Sequence, residues 1–165
     1  YPLRRLQAEV LIDALCQITG THEKYSSLTP EPFTFMPDNQ RAVALADGSI
    51  TSSFLEMFGR PPRDTGLESE RNDRPTAAQR LHLLNSSHIQ RKIEQSRLLP
   101  SRLASRGGPR EAVTTIYLTI LSRFPTEEEL RIAQAYARSE SVKGREAVID
   151  LAWALINSDE FLYRH

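Results

Sequence analysis

Apolar residues recur at helical spacing through most of the chain, and proline, glycine and short polar caps mark the breaks. Leu6, Val10, Ala14, Leu15 and Ile18 share one helical face, and Gly20 follows where a left-handed C-cap costs least, which predicts a first helix. Residues 21–51 change character. Pro30, Pro32 and Pro37 interrupt any helix, Phe33 and Phe35 alternate, and Val43 and Leu45 alternate ahead of the turn pair Asp47-Gly48. This stretch reads as a loop holding at most one short strand or hairpin. Ser52 or Ser53 caps a short helix carrying Phe54, Leu55 and Phe58, which Gly59 and Pro61-Pro62 end. Residues 59–75 hold eight charged side chains and a single aliphatic one, Leu67, and so predict an extended surface loop.

Helical spacing then resumes. Thr76 and Gln79 stand as a capping box after Pro75, and Leu81, Leu84, Ile89 and Ile93 carry apolar contacts onward. After a break at Gly107-Gly108-Pro109 come three stripes. The first is Val113, Ile116, Tyr117, Ile120 and Leu121, and the second is Leu130, Ala133 and Ala137. The third is Ala147, Val148, Leu151, Ala152, Leu155 and Ile156. Tyr117 and Trp153 are expected in the core. Pro125, Thr126 and Glu129 announce the second of these helices, with acids in its electropositive first turn. Leu83-Leu84-Asn85-Ser86 and Leu155-Ile156-Asn157-Ser158 echo one another. In each, Asn is expected to end a helix in the left-handed region and Ser to cap the next, making a sharp corner. No longer period supports a duplicated unit. The fold predicted is mainly α: a single helical domain over residues 1–165, of about six to eight helices, with irregular regions at 21–51 and 59–75 and room for one short strand pair.

Charge narrows the function classes. The 165 residues carry 21 bases and 21 acids, so the broad basic footprint of a nucleic-acid binder is missing. The balance is uneven, however, since residues 91–110 hold six bases against Glu94 alone. No aromatic interleaves those bases, so base stacking is not supported, and a solvated or protein-docking face is the expectation. Cys16 is the sole cysteine, which excludes an internal disulfide and any site built from several thiolates. No apolar run approaches the roughly 18 residues of a membrane span. The chain opens at Tyr1 and enters an amphipathic pattern almost at once, which reads as a piece of a longer protein.

Several segments together carry a family resemblance. They are Phe54-Leu55-Glu56-Met57-Phe58-Gly59-Arg60-Pro61-Pro62-Arg63-Asp64, Glu68-Ser69-Glu70-Arg71, and Pro75 through Ser86. Further on come Ile116-Tyr117-Leu118, Leu121 through Thr126, and Leu155 through Tyr163. With Arg4-Arg5-Leu6-Gln7-Ala8-Glu9 at the start, the chain resembles the planctomycete-type domain-of-unknown-function family 1553. The resemblance implies the C-terminal domain of a larger exported bacterial protein, periplasmic or at the cell surface. A companion domain and often a cytochrome c-like or immunoglobulin-like module would lie upstream. It implies no catalytic residues, and the Cys-x-x-Cys-His of a haem site is not in this chain, so no cofactor is expected in this domain.

The loop at 59–75 is the first place to look for a ligand. Arg60, Arg63, Arg71 and Arg74 offer planar forks for carboxylate, sulfate or phosphate, and an acidic glycan or anion is the candidate ligand. Asp64, Glu68 and Glu70, with Asp73, either bind a cation or receive those forks in salt bridges that pin the loop to the helical body. His82 and His88, six apart across the Asn85 corner, match no metal-ligand spacing, and Ser86-Ser87 lack the elbow that exposes a nucleophile. The expected function is therefore a non-catalytic interaction or scaffolding domain that packs on upstream domains of its parent protein. The alternative is part of a hydrolase or carbohydrate-processing site shared with an upstream domain, with Glu68 and Glu70 as acid and base.

Overall fold

Leu11, Ile12 and Leu15 are almost wholly buried in α1 (Ala8–Thr19), the helix on which the N-terminal half of the protein is assembled. The computed structural model describes residues 4–27, 35–45, 50–61, 71–72, 74–96, 98–99, 108–139, 142 and 144–164. Within them the chain is mainly helical: α2 (Ser53–Met57), α3 (Ala77–Asn85), α4 (Ser87–Glu94), α5 (Pro109–Leu121), α6 (Glu127–Ala137), α7 (Gly144–Ile156) and α8 (Asp159–Leu162) follow α1. Helix α1 packs against α2 and α4, helices α5, α6 and α7 pack on one another, and α4 against α7 joins the two groups.

The punctuation does what the residue types dictate. Gly20 ends α1 at φ 68°, with its N–H bonded to the Cys16 carbonyl. Thr76 with Gln79 and Thr126 with Glu129 both close full capping boxes. Ser86 and Ser158 accept from the N–H groups of Ile89 and Phe161, each turning one helix sharply into the next. The asparagines work differently from expectation. Asn85 remains the last residue of α3, and among the described non-glycine residues only Ser122, which ends α5, has a positive φ. An extended Ser with a free hydroxyl acceptor is sufficient for the corner. Asn157 instead donates from its amide to the Trp153 carbonyl, 2.9 Å away.

The strand pair lies elsewhere than between residues 21 and 51. Residues Ala42–Ala44 form a single 3-10 turn, because the buried Asp13 carboxylate of α1 caps it, accepting from the N–H of Ala42 (2.7 Å) and of Val43 (3.1 Å). One antiparallel bridge, Ser26 to Thr51, is all the ladder found there among the described residues; Phe33, Asp47 and Gly48 lie outside them. The pair is β1 (Arg4–Arg5) with β2 (Tyr163–Arg164), antiparallel, with Arg5 opposite Tyr163. Two corrections concern burial. Leu83, between Leu81 and Leu84, is the α3 leucine in the core, while those two are 57% and 43% exposed; Tyr117 is core as expected, but Trp153 is 37% exposed.

Candidate functional site

Among the described residues, two polar clusters and one apolar groove are the candidate sites. The first cluster closes the base of the charged loop. Arg71 grips Glu9 of α1 with both guanidinium nitrogens, at 2.9 and 2.7 Å. Arg60, itself buried, sets its Nε 3.4 Å from the same carboxylate and donates to the Ile50 carbonyl at 2.9 Å. The backbone N–H of Asn72 donates to the Gly59 carbonyl at 3.2 Å, so both ends of the loop are tied at one point. Burial would raise the Glu9 carboxyl, but the Arg71 hydrogen bond and the two positive charges outweigh it and hold the group below its ordinary value. Of the eight charged loop residues, Arg60 and Arg71 are thus engaged with Glu9, and Arg74 places its backbone N–H 3.3 Å from the Asn72 side-chain oxygen at the surface. Arg63, Asp64, Glu68, Glu70 and Asp73 lie outside the described residues.

The second cluster was not legible from spacing. Glu23 accepts from His88 and from the buried Lys92, each at 2.9 Å, and Lys92 also donates to the His22 carbonyl at 2.9 Å and lies 3.4 Å from the Cys16 sulfur. Those hydrogen bonds lower the Glu23 carboxyl against the upward push of burial, while burial raises the Cys16 thiol despite Lys92. His82 and His88 do come together, their ring centroids 5.7 Å apart beside the stacked pair Phe54 and Phe58. The arrangement is aromatic packing. No group of three or more His, Cys, Asp or Glu among the described residues has the disposition of a metal site. His82 Nε2 is buried without a hydrogen-bond partner, and desolvation first, then the neighbouring His88, lowers its pKa.

The groove runs between α5, α6 and α7, encloses about 850 Å³, and is lined mostly by apolar side chains. Its most deeply buried lining residues are Val113, Ile116 and Tyr117 of α5, which form the floor, together with Ala147 of α7. Ile132 and Tyr136 of α6 and Trp153 of α7 form the walls and are 56%, 44% and 37% exposed. Its two acids, Glu129 and Asp150, differ. Glu129 is held by Arg123, which bridges it (2.9 and 2.8 Å) to Glu160 of α8 (2.6 and 2.8 Å), and hydrogen bonds from Arg123 pull its carboxyl down to about 2. Asp150 accepts from the Tyr136 hydroxyl at 2.7 Å. Spacing alone missed this surface because only one stripe per helix was assigned. Ile132 and Tyr136, at i and i+4, are a second apolar stripe on α6, more than one helix face needs for a single neighbour.

Comparison with known proteins gives a family and no chemistry. The family model described as PSD1, protein of unknown function (DUF1553), matches residues 1–137, up to the end of α6, so α7 and α8 with the closing segment lie beyond the matched region. Nothing among the curated proteins or the solved structures matches the chain.

Proposed function

This chain belongs to the DUF1553 family, and from that premise we propose that it is a non-catalytic interaction module whose working surface is the groove between α5, α6 and α7. The observation that carries this is the contiguous exposure of Ile132, Tyr136 and Trp153 around about 850 Å³ of apolar space. A folded chain gains from covering such a surface, and large exposed apolar patches mark association sites far more often than scattered apolar residues do. In this reading the partner is another domain of a larger exported protein. The polar lining supports binding over bond-breaking, since Glu129 is committed to Arg123, the lining among the described residues holds no histidine, and its one carboxylate–hydroxyl contact is Asp150 with the Tyr136 phenol.

Trp153 is the chain's sole tryptophan, so its emission reports occupation of the groove directly. Peptides selected from a random display library against the full chain are expected to shift that emission and to lose about tenfold or more in affinity, ~1.4 kcal/mol, on Ile132→Asp. Ile132 is 56% exposed, so the variant keeps its helical circular dichroism. Selected peptides indifferent to Ile132→Asp, or turnover of a glycan panel by the protein, would overturn the proposal.

A further inference from the structure

Resting on the groove as the working surface, we infer that its occupant is an amphipathic helix from another domain of the larger protein, one that sets a lysine or arginine against Asp150. Shape comes first. Helices α5, α6 and α7 each pack on the other two, and the open side between α6 and α7, floored by α5, is where a fourth helix of a bundle would lie. A helix lying there would run beside the 13 residues of α5 and of α7.

Backbone chemistry selects the same occupant. A strand or an irregular segment would press its own N–H and C=O groups against a lining that is nearly all hydrocarbon, whereas a helix satisfies its backbone internally and offers apolar anchors at i, i+3 or i+4, and i+7. Charge then fixes one end of the specificity. Among the described residues the groove is lined by two acids and by no lysine or arginine. Glu129 is held by Arg123, but among the described residues Asp150 has no cationic partner and accepts only from a neutral phenol. Trp153 stands one turn along α7 from it, so a cation placed there meets both a carboxylate and an aromatic face.

The test uses two 14-residue helical peptides with identical leucine anchors, one flanked by lysines and the other by glutamates, each titrated into the full chain with Trp153 emission as the signal. The lysine peptide is expected to bind about tenfold tighter at about 0.05 M salt, with the gap narrowing at about 0.5 M. Asp150→Asn, which keeps an acceptor for Tyr136, is expected to remove most of that preference, and Ile132→Asp to abolish binding of both peptides. Equal binding of the two peptides, or a preference that survives Asp150→Asn, overturns the basic-helix inference while leaving the groove a docking surface. Binding indifferent to Ile132→Asp overturns the groove itself. A concentration-dependent dimer in sedimentation that Ile132→Asp dissolves assigns the groove to a second copy and overturns the partner helix.

Discussion

Replacing Glu9 by glutamine keeps the shape of the side chain and removes the charge on which Arg60 and Arg71 converge. The magnitude follows from burial. The side chains of Glu9 and Arg60 are 9% and 8% exposed, and that of Arg71 is 20% exposed. A surface pair is worth about 0–1 kcal/mol, whereas removing one partner of a buried pair costs about 3–5 kcal/mol, because the remaining charge stays out of water. Arg71 is open enough to rehydrate, so the low end applies: Glu9→Gln is expected to cost about 3 kcal/mol, equivalent to a melting temperature roughly 6–12 °C lower for a chain of this size. Guanidinium unfolding followed by both Trp153 emission and circular dichroism measures it, and coincident curves justify the two-state treatment. The double replacement Glu9→Leu with Arg60→Met, which removes the charge together with its buried counterpart, is expected to cost less than Glu9→Gln alone. A loss under about 1 kcal/mol for Glu9→Gln, with no recovery in the double variant, would refute the buried-clamp account. Acid sensitivity follows with a definite sign. The Glu9 carboxyl lies below its ordinary value of 4.5, so its contribution is complete above about pH 4.5 and is lost as pH falls through the folded value, a loss that Glu9→Gln lacks.

Three further outcomes follow from the same geometry. Arg123→Ala, which severs α6 from α8 at Glu129 and Glu160, is expected to cost about 1–2 kcal/mol after allowance for its partial exposure; Arg123→Lys, with no fork, recovers less than half, as denaturation at low salt will show. Gly59→Ala is expected to cost about 2–4 kcal/mol, since φ is +95° and a Cβ would lie against the Asn72 carbonyl; Gly144→Ala, with open space around it in a helix, should instead stabilise by up to about 1 kcal/mol. His82 has a folded pKa below its unfolded value of 6.5, so the unfolded state binds more protons and stability falls as pH drops below about 6.5. Urea midpoints at pH 5.5 and 7.5 should therefore differ less in His82→Phe than in the parent, and an unchanged difference counts against a buried neutral imidazole.

Local rules carried the helices because each was written several times over. Around Thr126 the proline, the hydroxyl and the Glu129 side chain all specify one helix start, and that start is found. The alternation at Val43 and Leu45 failed because a distant partner decides it: the Asp13 carboxylate caps the N–H groups of Ala42 and Val43 into a 3-10 turn, and nothing in the local pattern records that. Long-range pairing likewise hid the Glu23, His88 and Lys92 cluster, in which Glu23 lies 65 or more residues from His88 and Lys92, themselves one turn apart on α4. The loop was legible as charged, but what its arginines face was not, since Glu9 sits inside a helix that periodicity assigns to core packing.

Buried charge and exposed hydrocarbon have opposite fates in this fold, and the contrast is what favours the groove as the proposed working surface. Where carboxylates leave water, the chain answers them itself: Glu9 with two arginines, Glu23 with His88 and Lys92, Asp13 with Arg41 and two backbone N–H groups. Each answer is needed, because an uncompensated buried charge costs several kcal/mol and would not persist. Exposed apolar surface carries no such penalty per group, so it survives in a folded chain where a local cover is missing. Leu81, Leu84 and Phe124 are exposed singly or in pairs and fall within what any protein surface tolerates. Ile132, Tyr136 and Trp153 are exposed together, around a floor already packed to core burial by α5. A surface half built as a core gains from cover by another apolar surface, which is why we propose the groove, rather than the Arg60 and Arg71 forks already filled by Glu9, as the place of intermolecular contact.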